Sequence, residues 1–99
     1  PALVISELLG VPYEDHDFFQ EQAMILTSST ATLEEAVAAN HALCEVYLRG
    51  LVAKRSENPG DDILSRLIVN YVRKGDITET DVISLARLLL IAGHETTAN

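Results

Sequence analysis

The chain has 99 residues, 47% of them hydrophobic, with only five glycines and three prolines, which suits one packed unit and argues against a disordered, collagenous or loop-rich protein. Seven basic residues stand against fifteen acidic ones, a formal net charge of −8. Such a surface gives nucleic acid no electrostatic footing and is a poor match for an anionic membrane. The single cysteine, Cys44, excludes an internal disulfide and falls among helix formers beside Leu43 and Val46, the setting of a small buried hydrophobe.

Residues 2–9 are apolar and run into Gly10, Val11 and Pro12, the signature of a helix end, with a strand as the rival reading for so short a run. A second helix starts near Pro12 to Asp15, with Glu14 and Asp15 complementing the helix dipole. Phe18, Phe19, Gln22, Ala23 and Leu26 keep its spacing, and a small polar loop covers residues 27–31.

Thr32, followed three residues later by Glu35, predicts a capping box and a long helix. Leu33, Val37, Cys44, Leu48 and Leu51 trace its expected stripe, widened by Leu43, Tyr47 and Val52. Asn58, Pro59 and Gly60 stop it. Asp61 or Asp62 caps a shorter helix whose pairs Ile63/Leu64, Leu67/Ile68 and Tyr71/Val72 repeat every four residues. A tight turn, at most one minimal strand pair, is expected over residues 75–77.

Thr78 to Asp81 opens the last helix in capping-box style. From Val82 to Ala92 apolar residues occupy almost every face, and a helix of that kind must be buried all round. The stretch from Leu85 to Gly93 is interrupted by Arg87 and is too short to span a bilayer. The expected class is therefore all-α, with about five helices.

At its end this apolar helix turns into Gly93, His94, Glu95, Thr96 and Thr97. Unpaired polar groups are costly in an interior, and glycine weakens a helix. Local preference and burial conflict here, as they do at functional sites. Two rival readings are weighed. A zinc protease would need a second histidine four residues after His94, but that position is Ala98. A non-enzymatic helical interaction module would account for the amphipathic helices, but it has no use for an acid and a hydroxyl at this point.

The run from Leu89 to Thr97 resembles the oxygen-binding signature of the cytochrome P450 superfamily, the haem-thiolate monooxygenases. Three further stretches, 8–15, 61–67 and 75–78, are similar to landmarks of the family's soluble bacterial, actinomycete-type branch and occur in the same order. The resemblance implies an internal fragment, residues 1–99 of a single domain, from the end of helix E through F, G and H to the middle of helix I. It implies heme b, with iron held by a cysteine outside this segment, and NAD(P)H-derived electrons delivered by a ferredoxin-type donor. The implied reaction inserts one oxygen atom of O2 into an apolar small molecule, in the cytoplasm and with no membrane partner.

In that frame Glu95 and Thr96 are the catalytic candidates, Glu95 relaying protons and Thr96 holding a water near bound oxygen. Ala92 and Gly93 leave the oxygen groove. Leu88, Ile91, Ala92 and, from the junction of the second and third helices, Leu26 are candidate substrate contacts. No metal ligand is expected in the segment, and His94, about 100° around the helix from its neighbours, need not face the haem with Thr96, which leaves its role open.

Overall fold

The computed structural model describes residues 2–98, with side chains for 4–93. Among these the regular elements are all helices, joined by turns and short loops. Helix α1 spans Ala2–Leu9. It ends at Gly10, whose φ of 79° lies in the left-handed region that favours glycine. A second constraint acts there, since a Cβ on Gly10 would come within 2.7 Å of the Asp62 carboxyl carbon. A single 3₁₀ turn, Tyr13–Asp15, leads into α2, His16–Thr27.

Helix α3, Leu33–Asn40, continues without a break through a π-helical segment, His41–Leu48, into α4, Arg49–Glu57. Its start is the expected capping box: Thr32 Oγ1 accepts from the Glu35 amide at 3.1 Å, and Glu35 Oε1 accepts from the Thr32 amide at 2.9 Å. Those two hydrogen bonds hold the Glu35 carboxyl below the usual carboxylate range.

The π segment alters the expected stripe. Leu43 and Cys44, Leu48, and Leu51 and Val52 are buried, a recurrence of four residues. An α-helix at 3.6 residues per turn would carry such a repeat off the core by about 40° each turn. Underwinding over His41–Leu48 cancels this drift and puts these positions in line with buried Ala39. Leu33 and Val37 fall off that line and are exposed, contrary to the α-helical spacing that placed them on the stripe.

Helix α5, Ile63–Leu67, also passes into a π segment, Ile68–Val72. Its cap is Asp62, whose Oδ1 accepts from the Ser65 amide at 2.8 Å. Turn residues follow, with Gly75 at φ 81°, and no strand forms at 75–77. The polar turn is closed instead by Gly75 and Asp76 amides bonded back to Val72 and Tyr71 carbonyls. Helix α6, Glu79–Ala98, is capped by Thr78 and Asp81, each accepting the other's amide hydrogen.

One apolar cluster joins these helices. Leu9, Phe19, Ala23, Leu43, Leu48, Val52, Leu64, Ile68, Val82, Ala86 and Leu90 are all buried in it. Cys44 belongs to it too, and burial pushes its thiol pKa up, with the nearby Arg87 charge opposing.

Candidate functional site

Arg55 ties three elements together and sets the frame on which α6 lies. Its Nη2 donates to the Gly10 carbonyl at 2.7 Å, and its Nε lies 3.5 Å from Asp62 Oδ2. Asp62 Oδ2 also accepts from Ser65 Oγ at 3.0 Å, and Ser65 Oγ in turn accepts from the Gly60 amide at 2.9 Å. The end of α1, the end of α4 and the start of α5 therefore meet at one charged junction. Two of the three ordered landmark stretches, residues 8–15 and 61–67, touch here. Their residue types serve the junction: glycine for the left-handed turn, aspartate for cap and ion pair at once.

A second tie joins the entry of α2 to the π segment. Tyr47 donates its phenol hydrogen to Asp15 Oδ2 at 2.7 Å. Burial first, and then the Asp15 hydrogen bond and charge, push the Tyr47 pKa well up. His16 donates Nε2–H to the Val11 carbonyl at 2.9 Å and is buried, a structural role.

Against this frame α6 has two unlike faces. Val82, Ile83, Ala86 and Leu90 are buried at helical spacing against α1, α4 and the π segments. Leu85, Leu88 and Leu89 are 40%, 60% and 44% exposed, and Ala92 is exposed as well. These four residues form one apolar strip on the other side. Its residues are leucine and alanine, and no charged side chain interrupts it from Leu88 to Ala92.

The candidate substrate contacts Leu88 and Ala92 therefore lie together on the strip. Ile91 is half-buried at its margin. Leu26 sits elsewhere, half-buried against the apolar cluster near the end of α2, where Thr27 Oγ1 donates to the Ala23 carbonyl at 2.8 Å. Gly93 turns toward α1, and a Cβ built on it would collide with Ile5 Cδ1 and approach Ile5 Cγ1 to 3.4 Å. The side chains of Glu95 and Thr96, and that of His94, lie outside the described residues, although the α6 backbone runs on to Ala98. Leu85 and Leu89 were not among the sequence candidates. Uniform apolarity along α6 gives no signal of which face is covered.

Two shallow grooves open on other sides. One, of about 180 Å³, lies between the π segment and α6 and is lined by Asn40, Cys44, Arg49, Thr80, Ile83 and Arg87. The other, of about 320 Å³, is lined by Pro12, Asp15, Val46, Tyr47, Leu51 and Lys54 among others. Neither contains a candidate site residue. Among the described residues no group of three or more His, Cys, Asp or Glu side chains could hold a metal ion. No helix among them is long and apolar enough to cross a membrane.

No family model matches the sequence. Individual proteins do. The chain is 50% identical over 99 residues to cytochrome P450-SU2 of Streptomyces griseolus, covering all of this chain and 23% of that protein. It is 44% identical to pentalenic acid synthase of Streptomyces avermitilis, covering 24% of it. Among solved structures, cytochrome P450 MoxA from Nonomuraea recticatena superposes with a TM-score of 0.88 at 45% identity, over the whole of this chain and 24% of that one. CYP109E1 from Bacillus megaterium, solved in complex with corticosterone, gives 0.86 at 36% identity over 28% of its chain. The chain thus spans about a quarter of the length of the relatives it matches.

Proposed function

We propose that this chain, which belongs to the cytochrome P450 family, acts as the oxygen-activating and lid-forming part of a longer haem-dependent monooxygenase. The observation that carries the reading is the bare apolar strip Leu85, Leu88, Leu89 and Ala92 on α6, next to a run of Glu and Thr on the same helix. A flat, largely apolar macrocycle and an apolar substrate fit such a strip, where a charged ligand would not. Heme b, when bound, supplies the iron that activates dioxygen. Cys44 is unsuited to ligate it, being buried in the interior cluster with a raised pKa, so the thiolate is assigned to a part of the protein beyond these residues.

The chain's own residues then have defined tasks. Leu88, Ile91 and Ala92 contact an apolar substrate, with Leu26 supporting the lid formed by α2 and the helix from Leu33 to Glu57. Ala92 and Gly93 keep the helix slim where oxygen binds. Thr96, four residues after Ala92, follows it on one helical face. Its hydroxyl can bond the Ala92 carbonyl one turn back, which loosens the helix and leaves a place for one water. Glu95 passes protons from solvent to that water. Electrons come from NAD(P)H through a ferredoxin-type donor, and the setting is cytoplasmic.

The test is the absorption spectrum of the full-length protein, reduced and exposed to carbon monoxide. A thiolate-type Soret band is expected. Absence of haem, or a band of the histidine-ligated type, would overturn the proposal. In the same protein Glu95→Gln is expected to slow proton-dependent turnover by about 10²–10⁴-fold, the usual weight of a positioned acid. Thr96→Ala is expected to divert reducing equivalents from product into hydrogen peroxide.

A further inference from the structure

Among the described residues of the reactive turn, Gly93 faces a specific neighbour on the core side. Its missing side chain points at Ile5 of α1, and the atom in the way of a Cβ is Ile5 Cδ1. Ile5 is half-buried and packs on the apolar cluster, so its terminal methyl can make room for a Cβ only by turning into or away from neighbours it already touches. One residue earlier, Ala92 is exposed on the opposite strip. Adjacent helical positions diverge by about 100°, so Ala92 faces outward while Gly93 meets Ile5 about a quarter turn further round the helix.

We infer that Gly93 is a notch for Ile5, and that Ile5 is a positioning residue that sets the rotation and depth of the α6 turn carrying Ala92, Glu95 and Thr96. This rests on the monooxygenase reading for its consequence but not for its geometry. The absence of a side chain at Gly93 serves close approach of α1 as well as a slim helix near oxygen, and of the two residues Ala92 is the one exposed on the strip. A side chain at 93 would have to turn the Ile5 terminal methyl or move α6 away from α1, and any movement of α6 carries the strip and the reactive turn with it. A shift of that kind alters catalysis steeply, since a misplacement of order 1 Å can cost roughly a hundredfold in rate.

The inference makes a specific demand on a suppressor. Ile5→Val deletes Cδ1, the colliding atom, and leaves Cγ1 at an ordinary contact distance of 3.4 Å. In the full-length protein Gly93→Ala should lower the thermal midpoint of the haem-free form by several degrees. Ile5→Val in the same chain should restore most of that loss. With haem and electron donor supplied, Gly93→Ala should raise the fraction of electrons that leave as hydrogen peroxide, two electrons and two protons reducing one O2. The double variant should return that fraction toward the parent value.

Recovery of both readouts supports the inference. Recovery of stability without recovery of the peroxide fraction shows packing only and overturns the positioning role. Failure of Ile5→Val to recover either overturns the notch. If Gly93→Ala does not accumulate as folded protein, folding of the double variant becomes the readout: a folded double variant supports the notch, and an unfolded one overturns it. The haem-free melting cycle is independent of the carbon monoxide spectrum, so the failure of this inference and that of the monooxygenase proposal are told apart.

Discussion

The two faces of α6 are nearly identical in composition and opposite in circumstance. Val82, Ile83, Ala86 and Leu90 are buried to 4% exposure or less, whereas Leu85, Leu88 and Leu89 are exposed by 40% or more. Both rows are leucine, isoleucine, valine or alanine. The difference therefore lies in what surrounds the helix, and the inner face alone holds this segment together. An exposed apolar strip of this size on a helix marks a contact surface. The relatives this chain matches are about four times its length, and on the proposed reading the strip is the face that haem and substrate would cover.

The sharpest way to break the comparison is to place a charge on each face. Leu90→Asp would bury an unpaired carboxylate and is expected to abolish folding of the full-length protein, read as loss of soluble material or of the helical circular dichroism signal. Leu88→Asp should leave that signal intact and lower haem retention or binding of an apolar ligand. Equal loss of fold from both would show that the faces do not differ.

A milder form uses truncation. Leu90→Ala is expected to cost about 2–5 kcal/mol in urea unfolding of the haem-free protein, the range for emptying a buried leucine site. Leu88→Ala should stay within about 0.5 kcal/mol. Cys44 offers a check on the inner side, being 2% exposed with its thiol pKa raised by burial. Its reaction with a thiol reagent should be slow in the parent and in Leu88→Ala, and should accelerate in Leu90→Ala as the packing of α6 against the π segment loosens.

The smallest effect expected is a pH dependence far from α6. The Tyr47 pKa is raised in the folded state from its ordinary value of 10.0. Its contribution is therefore fully present below pH 10 and is lost as pH rises above that value. Tyr47→Phe should flatten the alkaline limb of the stability profile and leave the difference between the faces of α6 unchanged.

Local rules made much of the fold legible. The capping pairs Thr32/Glu35 and Thr78/Asp81 depend on residues three apart, and both formed as the sequence indicated. Gly10 announced the end of α1 because a left-handed turn leaves few alternatives. Two features needed tertiary information. Leu33 and Val37 fit an α-helical stripe, but the π segment at His41–Leu48 retuned the repeat to four residues and left them outside. The four-residue repeat was visible at Leu64 and Ile68, where a second π segment begins. The second feature was the contact partner of Gly93: sequence presented it as a small residue near oxygen, and only the approach of α1 shows that Ile5 occupies the space.

The central claim is that the outer face of α6 lies against haem while the inner face does not. Nuclear magnetic resonance of the full-length ferric protein, with methyl groups labelled on alanine, leucine and isoleucine, tests it most directly. Paramagnetic broadening should remove or shift the methyl signals of Leu88 and Ala92, which should return in the haem-free protein, and should be far weaker at Ile83 and Ala86. Equal broadening on both faces, or none at Leu88 and Ala92, would contradict the account.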